Sequence, residues 1–442
     1  MTVPTGRPGT LREARLGTGP GYAACQTGRV RRVTMVSLHT SPLLQPGTGD
    51  AGGLNVYVAR TAEQLARRGT PVDVLTRATP GAPTGPVPLE PGVDALVHHL
   101  PAGPPGLAKE DLPAHLSQFS AALDQHLRAR PADVVHAHYW LSGVAALPVT
   151  QRHRIPLVVT MHTAARVKNR SLAPGDRPEP RVREEGEAAL VGAADALVAN
   201  TDQEAGALME LYGADPGRVR VVHPGVDLDT FRPVEPAQAR ATLGVAPDAT
   251  VLLFVGRVQP LKGPDVLLRA AADLLTREPG LRDRLQVVVL GGLSGSGHDR
   301  PHELERLARE EGLADVVRFG PPVPRPELAR WYAAADLLAV PSYAESFGLV
   351  ALEALACGTP VVAARVGGLP VAVGEVGVLV DGHDPAHWAQ ALQESLHRLD
   401  DPRARQAWAT AAVAHARAFS WERTVEQLEE TYAAVRRGKE HR

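Results

Sequence analysis

The chain alternates short apolar runs with helical stretches, and it does so in two rounds. In the first round, strands are predicted over 32–38, 71–75, 95–100, 133–139, 156–161, 195–199 and 218–222, with helices over 54–68, 112–128, 181–193 and 202–212. In the 54–68 stretch, Leu54, Val58, Ala62 and Leu65 fall on one stripe, as a half-buried helix requires. Strands that are apolar throughout are buried on both faces, and parallel strands need a crossover, usually a helix. The pattern therefore predicts an α/β chain with a doubly wound parallel sheet. Pro224, Pro233, Pro236 and Pro247 then punctuate a boundary, read as a linker over 224–248. The alternation restarts with strands over 250–255, 285–290, 316–319, 336–340, 361–363 and 377–380. The expectation is two Rossmann-like domains, 31–223 and 249–419, facing a central cleft. A last helix, within 420–442, is expected to pack back on the first domain. Residues 1–30 are rich in Gly, Arg, Thr and Pro and lack an apolar period. They read as a disordered extension without a signal-peptide core.

Composition narrows the function classes. A net charge of −2 gives no electrostatic case for nucleic acid or an anionic membrane surface. Apolar runs such as 251–255 and 287–290 are strand-sized and far short of a membrane span. Two cysteines, Cys25 and Cys357, make neither a disulfide framework nor a Cys-rich metal site, which fits a cytoplasmic chain.

Ligands of doubly wound sheets sit at the carboxyl ends of the strands, so the loops there carry the chemistry. After the 336–340 strand comes a loop with Glu345, then a helix over 347–356 stopped by Gly358. The N–H groups of Ser346, Phe347 and Gly348 would open that helix, an arrangement suited to a diphosphate. Glu345 and Glu353 cannot hold phosphate but can accept hydrogen bonds from sugar hydroxyls, so the stretch suits a nucleotide sugar. After the 250–255 strand, Arg257 and Lys262 lie five residues apart in a Gly/Pro loop. Arg supplies a bidentate fork and Lys a point charge for the same diphosphate. Gly47, Gly49 and Gly52 spell G-x-G-x-x-G, but the preceding loop is too long for a dinucleotide turn. They read instead as a loop whose backbone can approach a phosphate or sugar closely. In the first half, His39, His138, Tyr139 and His162 fall at strand ends, and His162 is the one expected beside a reacting sugar. No histidine spacing demands a metal. Lys109, Lys168, Arg181 and Arg183 form a candidate set for an anionic acceptor.

The run Glu345-Ser-Phe-Gly-Leu-Val-Ala-Leu-Glu353, followed by Gly-Thr-Pro-Val-Val, resembles the donor-site signature of retaining, two-domain GT4-type glycosyltransferases. His39-Thr-Ser-Pro-Leu-Leu-Gln-Pro-Gly-Thr-Gly-Asp-Ala-Gly-Gly-Leu-Asn55, His138-Tyr-Trp-Leu-Ser-Gly143 and Phe254-Val-Gly-Arg-Val-Gln-Pro-Leu-Lys-Gly-Pro264 sharpen the likeness. From Arg31 onward the chain resembles the D-inositol-3-phosphate glycosyltransferase family of mycothiol synthesis. Sucrose-phosphate synthases share a related opening. The resemblance implies the GT-B fold and transfer of N-acetylglucosamine from UDP-GlcNAc to 1D-myo-inositol 3-phosphate, with retention. Carried onto this chain, it implies that His39, Lys109, Tyr139, Thr163 and Arg183 hold the inositol phosphate. Asp50, Ala51, Gly52, Gly53, Leu54 and Asn55 would line that pocket. Gln45, Pro46, Gly53, Arg257, Lys262, Val323, Glu345 and Glu353 would hold UDP-GlcNAc, with His162, Arg257, Lys262 and Glu345 at the reacting centre. It also implies a Mg2+ site at Tyr332, Ala333, Ala335 and Thr359. That set supplies no side-chain carboxylate, so the ion would be structural. No organic cofactor is expected, and an exposed apolar face on the first domain is expected to support a homodimer. Arg181 is the alternative to Arg183, which has Glu184 and Glu185 as neighbours. The competing readings are a transferase of the sucrose-phosphate synthase type, a UDP-sugar epimerase and a non-catalytic UDP-sugar binding module. The last two leave Lys109, Tyr139 and Arg183 without a task.

Overall fold

The structure, a computed structural model, describes residues 30–293 and 302–440. The expected N-terminal extension lies outside the described residues except for Val30, which is buried against the first sheet. That sheet is built from β1 (Val33–Val36), β2 (Val72–Arg77), β3 (Val87–Pro88), β4 (Ala95–Leu100), β5 (Val134–His138), β6 (Leu157–Thr160), β7 (Ala196–Ala199) and β8 (Val219–Val221). Its order is β3-β4-β2-β1-β5-β6-β7-β8. Only β3, in a segment expected to be loop, runs antiparallel. The second sheet contains β9 (Thr250–Val255), β10 (Leu285–Leu290), β11 (Val317–Gly320), β12 (Leu337–Val340), β13 (Val361–Ala364) and β14 (Val378–Val380). Its order is β11-β10-β9-β12-β13-β14, all parallel.

The apolar runs are strands because helices cover both faces of each sheet. In β12, all of Leu337–Val340 is buried. The helix Pro264–Arg277 turns Val266, Leu267, Ala270, Ala271 and Leu274 to the second core. Each Val or Leu so buried contributes roughly 1.5–3 kcal/mol. Pro264 supplies the fixed φ of a first helical turn.

Three elements differ from the sequence expectation. The helix Trp140–His153 buries Trp140, Leu141, Ser142, Gly143, Ala145, Ala146, Val149 and Thr150, so it has no polar stripe to reveal its period. The 224–248 segment is not an open linker. It carries the helix Pro236–Leu243, and Val226, Phe231 and Val245 join the second core. Its prolines include the one that opens that helix. The short helix Ala165–Arg170 also follows His162 and Thr163 unannounced. The last helix, Trp421–Glu440, sets Val425, Leu428 and Tyr432 among Val33, Met35, Val58 and Leu65, so the chain ends on the first sheet.

The carboxyl ends of the two sheets face each other. Gly292 N–H donates to Gly47 O at 3.1 Å, joining a loop after β1 to the loop after β10. Gly47 adopts φ 91°, a left-handed value open to glycine, and packs on Pro322. Asp227, between the sheets in sequence, bridges Arg60 of the first half (2.9 Å) and Arg325 of the second (3.5 Å). Among the described residues, no helix is long and apolar enough to cross a membrane.

Candidate active site

In each sheet one central strand has chain connections diverging to either side: β1 lies between β2 and β5, and β9 between β10 and β12. A crevice opens at the carboxyl end of such a switch point. The 37–52 loop, Tyr139 and His162 leave β1, β5 and β6 there, while the 256–263 and 341–348 loops leave β9 and β12.

On the second sheet, Lys262 Nζ lies 2.5 Å from Glu345 Oε2. Ser342 Oγ donates to the same oxygen at 3.4 Å. The two loops are also tied by main chain, with Tyr343 N–H donating to Leu261 O at 2.8 Å. The turn after β13 braces Glu345 from behind: Gly368 N–H donates to its carbonyl at 2.9 Å. The following helix, Leu349–Ala356, starts later than expected, at a Gly348 cap with φ 104°, so Ser346 and Phe347 belong to the loop. Glu353 is buried. Tyr332 OH donates to its Oε2 at 3.1 Å, and Arg325 stands 3.5 Å from its Oε1. Burial raises its pKa, and the Arg325 charge opposes that rise. Val323 is half-buried in the loop before the helix Arg325–Ala334. Arg257 lies beside Gly52 of the first half, 3.6 Å from where a Cβ there would sit. Burial lowers its pKa, against the fields of Asp50 and Glu345.

On the first sheet, the groups gather round Tyr139. The His39 ring centre is 4.5 Å from the Tyr139 ring, Lys109 Nζ 5.0 Å and Arg183 Cζ 4.8 Å. Lys109 is 3.8 Å from Asp50. Arg183 donates to Thr163 O and Oγ1, each at 2.9 Å, and pairs with Glu187 (2.7 Å) and Glu179 (2.9 Å). Burial disfavours its charge, but Tyr139, Glu187 and Glu179 outweigh this and hold its pKa above the usual range. Arg181, the alternative, is exposed and pairs with Glu185. Lys168 pairs with Glu179 at 2.8 Å. Of the basic set, Lys109 and Arg183 are the two that lie over the Tyr139 ring. The His39 pKa is lowered by burial, then by the charges of Lys109, His162, Arg183 and Arg257.

The rest of the predicted lining divides by position. Gln45 is exposed at the loop tip with its carbonyl accepting from Thr48 Oγ1, and Pro46 is half-buried beside it. Ala51 is buried, Leu54 packs into the first core, and Gly53 faces Leu349 across the cleft. Asn55 spends its amide on the loop itself. It donates to Thr40 Oγ1 and Ser41 O and accepts from Gly52 N–H, so it holds the loop's shape.

Tyr139 (φ 75°) and His162 (φ 59°) are non-glycine residues in left-handed backbone. Such strain costs on the order of 1–3 kcal/mol and gathers at functional sites. His162 Nε2 is 3.0 Å from His138 Nδ1, and its ring meets the Tyr57 ring edge-on at 5.1 Å. Burial lowers the His162 pKa to about 3, so the ring is neutral near pH 7. Sequence reasoning missed Tyr57, Asp227, Arg325 and the Tyr332 hydroxyl as parts of this region, since none sits at a strand end.

The expected Mg2+ set lies at the end of the helix Arg325–Ala334. There the Tyr332 carbonyl accepts from Thr359 Oγ1 (2.6 Å) and Ala335 N–H (3.1 Å), with Ala333 beside them. Oxygen atoms at a helix carboxyl end suit a hard cation in kind. They carry no formal charge, so a cation there would be structural. Among the described residues, Asp73, His98 and His126 form a group with metal-like spacing. Asp73 lies near the start of β2, away from the cleft, and already takes Arg130 at 3.0 Å and Arg32 at 3.2 Å, which disfavour a further cation.

Comparison with known proteins gives the family and the fold. Residues 52–225 match the glycosyl transferase 4-like domain and residues 237–414 match glycosyl transferases group 1. The chain is 56% identical to D-inositol 3-phosphate glycosyltransferase of Actinosynnema mirum, over 92% of this chain and 98% of that one. It is 55% identical to D-inositol 3-phosphate glycosyltransferase 2 of Catenulispora acidiphila, over 91% and 95%. Among solved structures, sucrose-phosphate synthase from Thermosynechococcus elongatus aligns with a TM-score of 0.83 at 31% identity, covering 92% of this chain and 99% of that one. Anabaena HepE, solved with UDP-glucose, shares the fold with a TM-score of 0.70 at 21% identity, over 91% and 99%.

Proposed function

Since the chain belongs to the D-inositol 3-phosphate glycosyltransferase family, we propose that it transfers N-acetylglucosamine from UDP-GlcNAc to 1D-myo-inositol 3-phosphate, with retention, in mycothiol synthesis. The observation that carries the acceptor is the pair Lys109 and Arg183, each within 5.0 Å of the centre of the Tyr139 ring. Two fixed cations beside an aromatic face suit a phosphate on a polyol ring. A cytoplasmic location and a homodimer belong to the same reading. In this reading the second copy packs on the helices that expose Val182 and Met209. A structural Mg2+ at Tyr332, Ala333, Ala335 and Thr359 is part of it too, and no step runs through that ion.

In this reading, Arg257 and Lys262 hold the diphosphate and offset the charge that UDP gains as it leaves. Glu345 and His162 orient the hexose, and Glu353, with Gln45, Pro46, Gly53 and Val323, completes the nucleotide side. The anomeric C–O bond to the β-phosphate breaks. The bond to the inositol oxygen forms on the same face, and the hydroxyl proton passes to a phosphate oxygen of UDP.

The likeness to sucrose-phosphate synthase supports a second reading, in which the acceptor is a hexose phosphate. The test follows UDP release from UDP-GlcNAc with myo-inositol 3-phosphate, with fructose 6-phosphate, and with neither. Release only with inositol phosphate is the expected result. Release only with the hexose phosphate would move the acceptor assignment to the second reading. UDP-sugar interconversion without UDP release would indicate an epimerase, and UDP binding without product a binding module.

A further inference from the structure

We infer that His138 is a positioning residue for His162: its Nδ1–H, donated to His162 Nε2, holds the His162 ring in the tautomer that presents an N–H at Nδ1 to the donor sugar. The inference rests on the cleft being a sugar-transfer site, as proposed above.

The contact is made by sheet register. β5 and β6 are neighbours, with His138 opposite Thr160, and His162 follows two residues later in left-handed backbone just past the end of β6. Its Nε2 then meets His138 Nδ1 at 3.0 Å. Burial keeps both rings neutral at ordinary pH. A neutral imidazole has one donor and one acceptor, so one ring donates and the other accepts.

The surroundings select the direction. His138 Nε2 is buried without a hydrogen-bond partner. If His138 accepted at Nδ1, its proton would sit on Nε2 as a buried N–H with no acceptor. Most buried side-chain polar atoms in folded proteins are hydrogen-bonded, so a tautomer that strands an N–H is disfavoured. If His138 donates from Nδ1, Nε2 keeps only a lone pair. His162 then accepts at Nε2 and carries its proton on Nδ1. Among the described residues Nδ1 has no partner, and His162 retains 8% of its surface. That N–H is left for a ligand hydroxyl.

The ring of His138 is braced in turn. His136 lies against it with ring centres 4.1 Å apart. His136 is itself held by Tyr432 OH (2.7 Å) and Thr160 Oγ1 (2.8 Å). Tyr432 comes from the final helix, so the end of the chain supports the cleft through a buried stack. Fixing a tautomer through a neighbour is the role an aspartate plays for the histidine of a Ser-His-Asp triad.

The test compares His138→Leu, which removes the donor, with His138→Asn, whose amide nitrogen can take the place of Nδ1. His162→Ala is the control. UDP release gives kcat and KM, and calorimetry gives UDP affinity. The expected result is a loss of roughly 10–100-fold in kcat for His138→Leu, the size seen when a metal-bound histidine loses its orienting partner, with UDP affinity kept. His138→Asn recovers most of that loss. Equal losses in both His138 variants, or parent kcat in His138→Leu, overturn the inference. Loss in His162→Ala but not in His138→Leu overturns it alone, whereas parent kcat in His162→Ala overturns the reading of the cleft beneath it. Nitrogen-15 NMR of the histidines in the unsubstituted protein needs no variant to fold. A protonated Nδ1 on His162 upholds the inference, and a protonated Nε2 overturns it.

Discussion

Lys262 Nζ and Glu345 Oε2 stand 2.5 Å apart and join the loops that leave two adjacent strands, β9 and β12. Both side chains are mostly shielded, so the cation is preorganised where a departing diphosphate would gain charge. Lys262→Ala should lower kcat about 100–1,000-fold, the usual loss of one such donor, while the far-ultraviolet circular dichroism stays that of the parent. Turnover close to the parent would remove the donor-site assignment.

Arg183 and Arg181 lie two residues apart on one helix, yet only Arg183 reaches Tyr139. Arg183→Lys keeps the charge but loses the fork to Thr163 and Glu187, and a fork is not replaced by a point charge. The KM for inositol phosphate should rise at least about tenfold, equivalent to roughly 1.4 kcal/mol. Arg181→Ala, on the surface, should leave KM within twofold. Steady-state kinetics at saturating donor measures both, and the reverse ranking would return the phosphate to Arg181.

Gly367 has φ 51°, and a Cβ there would lie 1.8 Å from the Glu345 carbonyl oxygen. Gly367→Ala must therefore displace the loop that carries Glu345. The melting temperature should fall, by more than about 1 kcal/mol in stability, and the donor KM should rise. An unchanged donor KM would show that the turn does not brace Glu345.

Buried titrating groups set opposing pH limits. Burial holds His136 and His162 at about 3 in the folded chain, against an ordinary value of 6.5. Their neutral burial contributes fully above pH 6.5 and is lost as pH falls toward 3, because the unfolded chain takes protons first. Glu204 runs the other way, raised by burial to about 7 from 4.5. Its contribution is full below pH 4.5 and lost as pH rises through 7. Urea midpoints should be highest near pH 6–7 and fall on both sides. Glu204→Gln should be more stable relative to the parent at pH 8 than at pH 5, and a constant difference across that range would remove Glu204 from the account.

Much of this was legible in the chain because apolar runs of strand length, spaced by helices, have few ways to bury themselves. The site loops were legible for the same reason: in a doubly wound sheet the carboxyl ends of the strands converge, so Arg257, Lys262, Glu345, Tyr139 and His162 could be picked by position. Local pattern was silent where burial is complete or local order hides in a boundary. The helix Trp140–His153 has no polar face, and the helix Pro236–Leu243 lay among prolines read as a linker. The choice between Arg181 and Arg183 turned on which side of a helix meets Tyr139, and residues two apart face about 200° from each other. The His138–His162 bond depends on strand register between β5 and β6, and the Asp227 bridge on how the two sheets face. Sequence thus determined which segments become strands and which loops reach the cleft, because hydrophobic period and turn chemistry are local. Which side chains meet in the cleft was decided by tertiary structure, because register, helix rotation and sheet placement follow from packing over the whole chain.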